Sequence, residues 1–282
     1  MFRKLALTAT AVSLVFVAAP ATALSFGKKP AAKPAAETAP AAAAPAPAAP
    51  QAPPRRATAE ERAIAERQDP LARAAFWSRE FELNSADPVA GVRLSAALRQ
   101  MGQREEAAET AKRVLTVQPA NVEAMLELGR AYVAEGKGFY AIEPLTKAQA
   151  LSPRDWRVLS VLGVAYDQVS RGAEAQAAWN QALALSPNNP AVLANLAMHL
   201  AASGDTARAE QLLRTAVAQP AAGLKERQNL ALVLGLQGKL AEAEQLTRQN
   251  LPPEQAEINI AYLRAAAGGS GRSWDAVKRD SN

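Results

Sequence analysis

From residue 57 onward, apolar side chains recur three and four positions apart in runs about a dozen residues long, separated by short polar turns. Asp69-Pro70 opens one such run, "PLARAAFWSREFEL", with an N-cap residue followed by proline at the first helical position. The runs come in pairs, and the pair repeats. Pro119, Pro153 and Pro187 stand 34 residues apart. Other columns keep that period: Leu94, Leu128, Leu162, Leu196 and Leu230; beside them the small residues Ser95, Gly129, Gly163, Ala197 and Ala231; then Leu98, Tyr132, Tyr166, Leu200 and Leu234. A glycine follows at Gly102, Gly136, Gly204 and Gly238, with Ser170-Arg171-Gly172 as the variant, and a second small column runs through Ala107, Ala141, Ala175, Ala209 and Ala243.

Each column has a physical task. Small residues let two helices approach closely, and leucine and tyrosine fill the space between them. Glycine supplies the positive φ of a tight helix end, and proline stops one unit before the next begins. The pattern predicts two-helix units beginning near Pro88, Val122, Trp156, Pro190 and Leu224, a partial unit over 57–87, and a capping helix over 254–267. Pro144 falls inside a second helix and is expected to bend or loosen it.

A 34-residue helix–turn–helix period with these columns resembles the tetratricopeptide repeat (TPR) family over residues 57–267. The resemblance implies an all-α fold: a right-handed superhelix, an α-solenoid of about five repeats, with first helices lining a concave groove that binds a protein partner. Mapped here, the groove positions are Val89, Val92, Leu126, Arg130, Val133, Ser160, Val164, Asp167, Asn195, Met198, Lys225, Asn229 and Tyr262. Any one of them has packing between repeats as its alternative. One mode of the family grips a peptide's terminal carboxylate with Lys, Asn and Arg. Asn195 and Lys225 match two members of that set, but Ser160 and Val164 stand where Lys and Asn belong, so the clamp is not expected.

Composition narrows the chemistry. The chain has no Cys, which excludes disulfides, thiolate metal sites and cysteine nucleophiles, and its one histidine, His199, rules out a multi-histidine metal site. His199 reads as structural, without a partner. "GGSGRS" (268–273) lacks the Lys-Ser/Thr ending of a phosphate loop and reads as a flexible joint before Trp274. The carboxylates of Glu105, Glu106, Glu242 and Glu244 read as solvated. No enzyme and no cofactor are expected.

The net charge of +5 is carried by the N-terminal stretch: Arg3, Lys4, Lys28, Lys29, Lys33, Arg55 and Arg56 against Glu37 give +6 within residues 1–56, leaving −1 for the rest. The repeats therefore lack the basic footprint of a nucleic-acid binder. Residues 1–23 have a basic start, a short apolar run and Ala21-Thr22-Ala23, which together read as a signal peptide, implying a periplasmic protein of a Gram-negative-type bacterium. Retention in the inner membrane by an uncleaved signal is the alternative. Residues 24–56 are Ala/Pro-rich and read as a disordered linker; 268–282 reads as a flexible tail.

Four segments go beyond the repeat consensus: "DPLARAAFWSREFELNSADPVAGVRLSAALRQMGQREEAAETAKRVL", "RDWRVLSVLGVAYDQ", "RQNLALVLGLQGKLAEAEQL" and "LPPEQAEINIAYLRA". Together they resemble the TadD-type TPR proteins of the tight-adherence (Flp) pilus system. That resemblance implies a role in assembling the pilus secretion machine, with the outer-membrane secretin as partner. Such pilotins commonly carry a lipid on a cysteine, which this chain lacks, so the binding part of the role is retained and a lipid anchor is not expected. A general scaffold for cell-wall or outer-membrane biogenesis is the second reading. The oligomeric state is left open.

Overall fold

The computed structural model describes residues 55–268; the signal, nearly all of the Ala/Pro-rich stretch and the tail, including Trp274, lie outside the described residues. Within them the chain forms thirteen helices and no strand. A short α1 (Ala59–Ala65) and α2 (Pro70–Leu83) precede five two-helix units. These are α3 (Pro88–Gln100) with α4 (Arg104–Val117), α5 (Val122–Ala134) with α6 (Gly138–Leu151), α7 (Trp156–Gln168) with α8 (Gly172–Leu185), α9 (Pro190–Ala202) with α10 (Thr206–Val217), and α11 (Leu224–Leu236) with α12 (Leu240–Asn250). A final helix, α13 (Pro253–Gly268), follows. All five first helices begin at the residues the repeat pattern predicts.

The two helix classes start differently. First helices α3, α5, α7 and α9 are capped by Asp87, Asn121, Asp155 and Asn189, whose side chains accept from the opening amides. Of the second helices α4, α6, α8, α10 and α12, only α10 has a side-chain cap, Asp205. The others are held by packing against the helix before them. Gly102, Gly136, Gly204 and Gly238 adopt φ of +75 to +95° in the connecting turns. The third unit puts Ser170 there at φ 61°, not the neighbouring glycine; Gly172 instead opens α8. A non-glycine residue in that region carries local strain. Helix α6 runs unbroken through Pro144, so the expected loosening does not end the helix.

Each helix packs on its chain neighbours, and successive first helices also pack on one another, α3 to α13. Successive second helices have no comparable contact. The row of first helices is therefore the tighter, inner row, and the second helices splay on the outside. The core is a strip, not a ball. It passes from Trp77 and Phe81 through Leu126 and Leu145 to Trp179, Leu213 and Leu234, each buried. Such a solenoid is stabilised by nearest-neighbour interfaces.

The N-terminal end is fastened by charge. Glu80 is buried, accepts the Ala57 amide at 2.9 Å and pairs with Arg62 at 2.7 Å; Arg62 also reaches Asp87 at 2.7 Å. Burial pushes the Asp87 carboxyl up, but the Arg62 guanidinium and the Ala90 and Val89 amides outweigh it, and the net shift is below the ordinary 3.8. A depressed carboxyl contributes stability that is fully present above 3.8 and lost as pH falls through its folded value. Asp87→Asn keeps the cap and removes the charge. Urea midpoints are expected to fall for this variant at pH 7, and its gap to the parent protein should close as the pH is lowered below 3.8.

Candidate functional site

The inner row brings the sequence-predicted groove residues onto six helices: Val92 on α3; Leu126, Arg130 and Val133 on α5; Ser160, Val164 and Asp167 on α7; Asn195 and Met198 on α9; Lys225 and Asn229 on α11; Tyr262 on α13. Their surroundings differ. Leu126 is wholly buried and does not reach a partner, while Ser160 keeps 7 % of its surface exposed. Leu126 packs with Met125, Leu145 and Val158, in the seam where α5 meets α7. This corrects the assignment of Leu126 to the groove: a side chain aimed at the neighbouring first helix is covered by it. Val92, Val133, Val164 and Met198 are half-buried and pack partly on the core, leaving aliphatic edges on the surface. Asn195 and Asn229 are half-buried amides, and burial pushes the half-buried Tyr262 phenol up. Val89 and Lys225 are exposed.

Two of the charged groove residues are already engaged. Arg130 donates from Nη1 to Glu127 at 2.5 Å, and Glu127 is also reached by Arg99 at 3.0 Å. Asp167 accepts from Nδ1 of His199 at 2.7 Å. The sequence reading left His199 without a partner; the structure supplies one from the preceding first helix, 32 residues earlier. Since an ionised carboxylate only accepts, the imidazole carries its proton on Nδ1. The ring lies 5.5 Å from that of Trp179, and among the described residues its only hydrogen bond is to Asp167. The pair thus ties α7 to α9. Similarly, Arg157 at the start of α7 reaches back to Glu123 on α5 at 2.5 Å and to its own cap, Asp155, at 2.7 Å, and the guanidinium is held protonated still more firmly than usual by both.

Sequence reasoning missed this ladder of Arg99, Glu127, Glu123, Arg157 and His199. Its partners lie close to one repeat apart, at separations of 28, 34 and 32 residues, and that spacing is the signal that would have found it. The ladder leaves an inner surface of aliphatic edges, amides and internally neutralised charge. Lys225 stands apart, with no ion pair among the described residues. No group of three or more potential metal ligands occurs among the described residues. A surface of this kind supports binding by contact, of a peptide segment with a sizeable apolar face.

Two tetratricopeptide-repeat family models match the chain, over residues 93–155 and 168–231. No curated protein matches it in sequence. Among solved structures, the chain is similar to a thermophilic TPR protein of Thermus thermophilus, with 24% identity, coverage of 58% of this chain and 90% of that one, and a TM-score of 0.54. It is also similar to MamA of Desulfovibrio magneticus, at 21% identity over 55% of this chain and 90% of that one, with a TM-score of 0.48. The first likeness bears on the fold, and it agrees with the helix pairs described above. Residues 93–155 and 168–231 thus carry tetratricopeptide repeats, and the same two-helix unit runs beyond them in a TPR-like solenoid.

Proposed function

We propose that the protein is a non-enzymatic periplasmic adaptor in the assembly of a Flp/Tad-type pilus or its secretion machine, holding a segment of a protein partner against its inner row of helices. The secretin is the first candidate partner. What carries the pilus reading is the likeness of the segments outside the repeat consensus, "DPLARAAFWSREFEL" and "LPPEQAEINIAYLRA" among them, to TadD-type proteins. Export rests on the signal-like residues 1–23. The neutralised, half-apolar inner surface supports the binding half of the proposal: a strongly charged ligand would have to displace Glu127 from Arg130 or His199 from Asp167.

The test is a photoreactive residue in place of Val164, which is half-buried in the middle of the inner row, in living cells. The adduct, identified by mass spectrometry, is expected to contain the secretin or another pilus-machine component. Adducts confined to cell-wall or outer-membrane biogenesis enzymes would overturn the pilus reading in favour of a general envelope scaffold.

A further inference from the structure

The outer face carries a feature that the repeat does not require. At the start of α6, Phe139 and Tyr140 are 73% and 60% exposed. The same two columns hold Glu105 and Glu106 in α4, Ala173 and Glu174 in α8, Ala207 and Arg208 in α10, and Ala241 and Glu242 in α12. Four of five units thus place small or charged residues where one places two large aromatics. Exposed rings of this size add nothing to the core, and the fold is built without them four times in the same chain.

The rings belong to a cleft of about 820 Å³ lined mainly by α5 and α6, with Leu115 of α4 and with Val169 and Arg171 of the α7–α8 turn. Its floor is Leu115, Met125 and Leu128, and Pro144 lines one side. Tyr140 stands between two other rings: edge-on to Phe139 with centroids 5.6 Å apart, and tilted at 42° to Tyr132 at 5.9 Å. The result is a wall of ring ridges over an aliphatic floor.

The polar groups of the lining are mostly donors. They are the Tyr132 and Tyr140 hydroxyls, Lys147 and Arg171; the one carboxylate, Glu143, is already taken by Lys147 at 2.7 Å. Arg171 pairs with Glu174 at 2.7 Å, yet a guanidinium with five N–H groups, like an ammonium with three, has donors to spare. A donor-rich, aromatic cleft discriminates between peptide ligands. A helix satisfies its own carbonyls except in its last turn and brings few to such donors. A polyproline II segment has no internal hydrogen bonds, leaves every carbonyl free, and at each proline lacks the N–H that would need an acceptor. Its pyrrolidine rings pack between aromatic ridges at little entropic cost.

We propose that the α5/α6 cleft around Phe139 and Tyr140 binds a proline-rich, extended segment of a partner protein, separately from the inner groove. The experiment uses the full chain and a fluorescein-labelled synthetic peptide of alternating Pro and Ala, read by anisotropy. Saturable binding is expected. The double substitution Phe139→Ala and Tyr140→Ala should weaken it about tenfold or more, the scale for truncating aromatic anchors. Both rings are exposed, so the melting temperature should not change. Equal binding by the double variant would overturn the proposal, as would equal binding of a peptide with every Pro replaced by Ala, or no binding of either peptide. Concentration-dependent self-association in sedimentation that the double variant abolishes would instead assign the rings to a contact between copies of this chain.

Discussion

Replacing Trp179 with alanine is expected to destabilise the protein by about 3–5 kcal/mol, the range for emptying a large aromatic site in a core. Trp179 is 1% exposed, and its indole N–H donates to the Ser160 carbonyl at 3.1 Å. It lies directly over Gly163: a Cβ built there would stand 2.5 Å from Nε1 and 2.6 Å from Cε2. A buried indole cannot swing aside, so Gly163→Ala alone should cost about 1–3 kcal/mol by overpacking. The same crossing in the next unit pairs Ala197 with Leu213. Combining Gly163→Ala with Trp179→Leu rebuilds that pairing, and the double variant should be more stable than the sum of the single effects allows. Urea midpoints of the four proteins test this. Strict additivity would mean that the two sites do not share the crossing.

That compensation runs along the solenoid. Gly129 faces Leu145, whose side chain a Cβ would meet at 2.5 Å, while Ser95 stands opposite the smaller Ala111 and its hydroxyl donates to the Ala107 carbonyl. The small column was legible as a close-approach site, but its partner column varies from Ala to Trp and shows no periodic signature alone. Only the product of the two sizes is constrained. Unit boundaries were legible for the opposite reason: Pro88, Val122, Trp156 and Pro190 each follow an Asp or Asn cap, and Leu224, after Gly223, keeps the same 34-residue period.

The site was less legible than the fold. Leu126 and Val92 occupy the same column, yet one is fully buried and the other half-exposed, because burial there depends on the neighbouring repeat's side chains. The charges were hidden similarly. Asp167 and His199 look unrelated until a period of nearly one repeat stacks their helices. Ser170 shows the limit of the consensus itself: the turn needs a left-handed residue, and the chain accepts strain at serine to provide it.

Glu127 sets the remaining large effect. It is 3% exposed on α5 and receives Arg99 from α3 at 3.0 Å and Arg130 from its own helix at 2.5 Å. Its desolvation is offset only while both guanidiniums are present, and they are tolerated at this depth only because it is ionised. Glu127→Ala removes the acceptor and leaves two like charges facing each other across the α3–α5 seam. Breaking a fully buried pair costs about 3–5 kcal/mol; both arginines here are about a quarter exposed, and water screens them, so about 2–3 kcal/mol is expected. Glu127→Gln keeps the shape and one acceptor oxygen and should cost less. The two variants also separate stability from binding. Each leaves Arg130 without its counter-charge, so a partner segment bearing a carboxylate near α5 should bind Glu127→Gln more tightly than the parent protein even though the fold is weaker. A parallel loss of stability and affinity would instead show that Arg130 serves only the seam between α3 and α5.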